Sequence, residues 1–195
     1  NYDSVAEEND GSCRYDEVVT ETSSDDGSTD SDTGDDDTTD DFSIKYGEGV
    51  TDIDGYTYKS VIIGEQEWMA ENLRTTKYSD GTAIPNVTDN TQWNNLSTGA
   101  WCHYENDIQY EPPFGNLYNW YAVETDKLCP TGWQVPTDAE WTLLTDYLTA
   151  NGHDGKEGTA LKSTSGWDGD DGNGTDDYGW KGNPGSNRGS TGKFS

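Results

Sequence analysis

Cys129-Pro-Thr-Gly-Trp-Gln-Val-Pro-Thr-Asp-Ala-Glu-Trp141 is the stretch whose reading decides the fold. Pro136 stops whatever precedes it, because its ring fixes φ and removes a backbone donor. Thr137 and Glu140 spell a Thr-x-x-Glu capping box, in which each side chain satisfies a backbone N–H that a helix start leaves orphaned. A helix therefore begins there. Trp141, Leu144 and Leu148 follow at i, i+3 and i+7, Leu143 and Tyr147 widen the stripe, and Asn151-Gly152 supplies a left-handed stop. Asp138 and Glu140 lie where the helix dipole favours negative charge, which explains them better than acid–base chemistry does.

Working outward, Phe114–Val123 carries Leu117, Trp120 and Tyr121 at helical spacing and predicts a first, shorter helix. Ala100–Tyr104 reads as a short strand. Ile53–Ile63 is rich in aromatic and β-branched residues, Gly64-Glu65 offers a turn, and Gln66–Met69 returns, so a hairpin is expected. Beyond Gly152 the chain is crowded with Gly and Asp, and Leu161 and Trp167 are its strong anchors before Tyr178 and Trp180. Strands, two helices and then long irregular loops argue for an α+β domain over residues 50–195 rather than a wound parallel sheet.

Residues 17–49 are chiefly Asp, Ser, Thr and Gly, a composition that cannot bury enough apolar surface to offset the entropy of ordering. They read as an acidic, disordered linker. Over the whole chain only 29% of residues are hydrophobic and the mean hydropathy is -1.01, so an aliphatic core cannot extend through it. Eight Trp and twelve Tyr against one Met point to a core or surface built on rings. A net charge of -28 opposes nucleic acid and anionic membranes and favours divalent cations or basic partners. No stretch approaches the roughly 18 apolar residues of a membrane span, so direct insertion is not expected. The first residue is Asn, and the sequence reads as an internal fragment. Cys13, Cys102 and Cys129 are an odd number, which leaves a free thiol or a partner outside the sequence, the second being preferred.

Tyr58-Lys59-Ser60-Val61-Ile62-Ile63-Gly64-Glu65-Gln66-Glu67-Trp68-Met69-Ala70-Glu71-Asn72-Leu73 resembles the opening motif of the Fibrobacter succinogenes major paralogous domain. Gly115-Asn116-Leu117-Tyr118-Asn119-Trp120, Cys129-Pro130 through Glu140-Trp141, and Gly174-Thr175-Asp176-Asp177-Tyr178-Gly179 resemble its later landmarks, in order. The resemblance implies a secreted or surface-attached bacterial domain with a C-type-lectin-like fold. Val135–Trp141 is also similar to a signature of sulfatase-modifying-factor domains. After Gly179 the chain departs from the family, with Trp180-Lys181-Gly182-Asn183-Pro184-Gly185. The family's final Cys-bearing strand is not found before Ser195, which implies an unpaired Cys129 and uncovered sheet edges. Residues 1–16 resemble the end of a Cys-containing Asp-Gly-Ser-Cys repeat of Bacteroidetes-like secreted proteins, with Ser4 in place of Pro. On that reading the partners of Cys13 and Cys129 both lie outside the sequence.

Candidate metal ligands gather at Asp168, Asp170, Asp171, Asn173, Asp176 and Asp177, where oxygens on a flexible loop suit calcium, although the spacing is not an EF-hand. Glu111-Pro112-Pro113 and Asn183-Pro184-Gly185 do not match the calcium-dependent sugar motifs of lectins. Trp167, Tyr178 and Trp180 are the candidate ligand-binding rings, displayed for stacking on a sugar. Trp68, Trp120, Trp133 and Trp141 fall within the fold-building motifs and are expected in the core. His103 and His153 accompany neither a nucleophile motif nor zinc spacing. The functional expectation is a non-catalytic extracellular or cell-surface binding and adhesion module that takes a glycan or a surface protein. The alternatives are a structural or assembly domain, calcium-stabilised in one version, and an enzyme of the sulfatase-modifying type, which would need a reactive Cys pair.

Overall fold

The computed structural model describes residues 13–15, 43–168 and 172–195. Among the described residues there are eight short strands, β1 (Arg14–Tyr15), β2 (Val50–Thr51), β3 (Thr57–Tyr58), β4 (Ser60–Ile63), β5 (Gln66–Met69), β6 (Trp101–Cys102), β7 (Leu117–Tyr118) and β8 (Trp133–Gln134). The α-helices are α1 (Asn90–Asn94), α2 (Glu111–Phe114), α3 (Trp120–Val123), α4 (Asp138–Leu148) and α5 (Glu157–Leu161). All strand-to-strand pairings are antiparallel, and the α+β class holds.

The main sheet has the order β4-β5-β1-β8. β4 and β5 form the expected hairpin, with Ser60 opposite Met69 and Ile63 opposite Gln66. Gly64 turns it at φ 63, a left-handed conformation that glycine adopts without steric cost. Val61, Ile63 and Trp68 are buried beneath Leu144 and Leu148 of α4, while Ile62 faces outward, the alternation of a sheet with one covered face.

α4 begins as its sequence demands. The Glu140 N–H donates to Thr137 Oγ1 at 3.4 Å, and Glu140 Oε2 accepts from the Thr137 N–H at 2.6 Å. Glu140 is itself buried, and its Oε1 accepts from Gln134 Nε2 of β8 at 2.7 Å. Its backbone carbonyl accepts from Gln66 Nε2 of β5 at 3.2 Å. The helix start is thereby bonded to two strands of the sheet. Leu144 and Leu148 are buried and Trp141 is half-buried, but Leu143 is 60% exposed and Tyr147 36%, so the apolar stripe is narrower than its sequence suggests. After Leu148 the chain makes a π-type turn over Thr149–His153 and leaves it through Gly152 at φ 91.

A second hairpin, β2 with β3, closes over a polar turn. Asp52 accepts from the backbone N–H groups of Asp54 and Tyr56 and, at 2.6 Å, from the Tyr58 hydroxyl. Burial and this bond push the Tyr58 phenol well up, so it stays a donor. Asp54 reaches across to a different loop, taking the Thr76 N–H at 2.6 Å and pairing with Lys77 Nζ at 2.7 Å. Burial opposes the charge on Asp54, but Lys77 and Thr76 outweigh it and hold the carboxyl at about 2.

At the far end, Arg188 is buried against the rings of Trp93 and Phe194. Its guanidinium donates to the carbonyls of Val87, Thr88 and Gly192 and to Asn90 Oδ1. That network fastens the last residues to α1, with Trp93, Ala100 and Cys102 forming the local core.

Several expectations are corrected. Leu117–Tyr118 is a strand paired with β6, not helix; of Phe114–Val123, Phe114 ends α2 and Trp120–Val123 forms α3. Asn119 explains the boundary: its side chain accepts the Ala122 N–H as an N-cap, so the helix cannot start earlier. α5 lies in the region read as irregular. Residues 43–49, assigned to the linker, belong to the domain: Tyr46 bridges to Val61, and Ile44 packs on the core beneath α4. Residues 1–12 and 16–42 lie outside the described residues.

The largest correction concerns the cysteines. Cys13 and Cys129 are bonded to each other across 116 residues of sequence, and Cys102 is the free, buried thiol. The segment read as a repeat remnant supplies β1, inserted between β5 and β8, so the sheet is not open there. The sequence reading missed this because pairing at such separation leaves no local pattern.

Thr137→Ala removes the cap acceptor and is expected to lower stability by about 1 kcal/mol in urea unfolding. For Asp54 the folded pKa of about 2 lies below the ordinary carboxylate value, so its contribution is full above that ordinary value and fades as pH falls toward the folded one. Melting temperatures of Asp54→Asn are therefore expected to fall less than those of the parent chain over that acid interval.

Candidate functional site

A groove of about 700 Å³ opens between α3, the start of α4, the end of α5 and the loop over residues 180–187. It is floored by Met69 at the end of β5 and Leu161 at the end of α5, both buried. Its walls carry Tyr104, Phe114, Trp120, Trp141, Trp167 and Trp180. Amides from Asn72, Asn183 and Asn187 and charges from Glu71, Lys162 and Lys181 complete the lining. An apolar, ring-rich concavity with a few polar groups is the general form of a small-ligand site.

The four tryptophans are each held by an identifiable contact. Trp120 occupies the first turn of α3 immediately after the Asn119 cap, and there it is 51% exposed rather than in the core as expected. Trp141 lies tilted against the buried Trp68 at 4.8 Å and meets Trp180 edge-on at 6.0 Å, so three indoles brace one another. Trp68 is fully buried; Trp141 is half-buried against the same cluster, and Trp133 is half-buried against the separate cluster that holds Cys13, Tyr58 and Cys129. Trp167 is fixed by its own N–H, which donates to the Gly182 carbonyl at 2.9 Å, and Lys162 Nζ sits 4.4 Å over its ring. That ammonium covers one indole face and leaves a positive charge at the groove wall.

The sequence-derived ligand set divides. Trp167 and Trp180 line the groove. Tyr178 does not: it is buried, edge-on to Tyr147 at 6.2 Å and to His153 at 5.6 Å, and it belongs to the core under α4. The Asp-rich loop divides too. Asp170 and Asp171 lie outside the described residues. Asp168 is exposed. Asp176 Oδ1 accepts the Lys181 N–H at 2.7 Å, which shapes the groove-side loop, and Asp177 Oδ2 accepts from Thr175 Oγ1 at 2.8 Å. Among the described residues no group of three or more His, Cys, Asp or Glu side chains converges as a metal site.

Trp120, Lys162, Lys181 and the asparagines were not legible as site residues. They come from four separated segments, and only the packing of α3, α4 and α5 against the end of β5 brings them together. Neither histidine lines the groove: His103 packs edge-on to Trp101 at 5.1 Å, and His153 lies against Tyr178. Burial pushes the Cys102 thiol up, against the opposing influence of Arg188, which makes it a poor nucleophile.

No helix among the described residues is long and apolar enough to cross a membrane. No curated protein and no solved structure matches the chain. The model of the Fibrobacter succinogenes major domain does match, over residues 61–195. That match takes in the β4–β5 hairpin, the capped helix α4 and the whole groove-side loop, and the chain belongs to this family.

Proposed function

We propose that the chain is a non-catalytic binding module, extracellular or attached to a bacterial cell surface, C-type-lectin-like in kinship, which takes a carbohydrate in the aromatic groove. The observation that carries this reading is Trp120, a large ring 51% exposed on the wall of a groove already lined by three further tryptophans. The apolar C–H faces of a sugar pack on such rings, while its hydroxyls exchange hydrogen bonds with amides such as Asn72 and Asn183. The absence of both histidines from the groove lining and the burial of Cys102 favour binding over catalysis.

A structural or assembly role is the second reading. It is favoured by the insertion of β1 into the main sheet under a disulfide to a distant segment. Its calcium-stabilised version is read from melting curves, because a ligand that binds only the folded state raises the midpoint with concentration. A midpoint that rises with calcium and falls with chelator would favour that version.

Glycan-array screening of the chain is expected to give a defined set of positive sugars. Trp120→Ala is expected to weaken the best of them by about tenfold, roughly 1.4 kcal/mol, without moving the melting temperature, since the ring is largely exposed. Uniformly blank arrays, or undiminished binding by Trp120→Ala, would overturn the proposal.

A further inference from the structure

β1 is an unusual strand. It contributes two residues, sits inside the sheet rather than at an edge, and has no neighbour that is close in sequence. Arg14 pairs with Trp68 of β5 on one side and Gln134 of β8 on the other. Tyr15 pairs with Glu67 and Trp133. The Cys13 carbonyl accepts the Met69 N–H at 3.1 Å, and the fully buried Cys13 is bonded to Cys129. β5 and β8 are not neighbours of each other, so without β1 the sheet contains a slot with two unpaired edges and a cysteine behind it.

Every wall of that slot comes from residues 66–134, whereas its occupant is separated in sequence from the rest of the described domain by residues 16–42. A connector of that length spans up to ~90 Å when extended. The identical strand of a second copy would make the same ladder bonds, the same burial of Cys13 and the same bridge to Cys129. Closed and exchanged forms then make the same contacts at the slot, and the balance between them depends on the concentration of copies. Crowding of copies, as on a surface, shifts the balance toward exchange.

We propose that the slot between β5 and β8 is a strand-acceptor site for the Cys13–Tyr15 segment of a second copy of this chain, with the Cys13–Cys129 bridge formed between copies. The step balances without an oxidant. Two bridges within chains become two bridges between chains. A low-molecular-weight thiolate opens one bridge by attack on sulfur, and it is expelled when the new pair closes. The proposal is independent of the groove and of what binds there.

The test uses the intact chain, half of it labelled with nitrogen-15. The two preparations are mixed at high concentration with glutathione and at roughly 0.5 M salt, where repulsion between acidic chains is screened to a few ångströms. Dimer is then isolated and its disulfide peptides are sorted by mass. The expected result is a dimer in which labelled Cys13 is bonded to unlabelled Cys129, and the reverse, in a proportion that rises with protein concentration. No dimer at any concentration would overturn the proposal. So would a dimer holding only like-labelled bridges. Mixed bridges that engage Cys102 as often as Cys129 would overturn it as well, because that pattern is random thiol scrambling.

Discussion

The buried carboxylate of Glu140 is the contact on which the rest of this domain leans. Burying a charged group is costly unless its oxygens are bonded, and here both are. One oxygen closes the helix cap at Thr137; the other holds Gln134 of β8. Since Gln66 of β5 bonds the carbonyl of the same residue, the axis of α4 is set against the sheet at its first turn. Leu144 and Leu148 then fall over Val61 and Trp68, and Trp141 falls against Trp68 and Trp180. The groove inherits its position from that placement, because Trp141 and Trp180 are two of its walls.

What was legible in the sequence follows from how local each cause is. Pro136, Thr137 and Glu140 act within one turn of chain, and the helix they predict is present, capping box included. The β4–β5 hairpin is equally local, with Gly64 in the left-handed region between β-branched and aromatic runs. Leu117–Tyr118 failed for the opposite reason. Its spacing fits a helix, but pairing with Trp101–Cys102, a distant segment, wins once Asn119 caps the following turn. Trp120 was assigned to the core on motif membership, yet its position just after a cap turns it outward. The β1 insertion and the groove depend wholly on long-range packing, and no window of sequence carries either.

The candidate site has an electrostatic character opposite to that of the chain around it. In a protein of net charge -28, the groove wall presents Lys162 and Lys181 beside Glu71. Lys162 is not a free cation, since it rests on the Trp167 ring, which draws the indole and the ammonium into one rigid wall. Trp167 is further locked by its bond to Gly182. Rings immobilised before a ligand arrives lose little rotamer entropy when it binds, so affinity at such a wall is not spent on ordering it.

Arg188 and Asp54 tie down different segments of the chain by different physics. The Asp54 clamp depends on a carboxylate that protonation discharges. Arg188 has no carboxylate partner among its described bonds; it is held by carbonyls, an amide oxygen and two rings. Its acceptors are carbonyl and amide oxygens, which acid does not discharge as it does a carboxylate. Strong acid therefore loosens the molecule unevenly, releasing the loop at Thr76 while the carboxyl-terminal residues stay fastened to α1, and a partly opened form in acid would keep that fastening as its last ordered region.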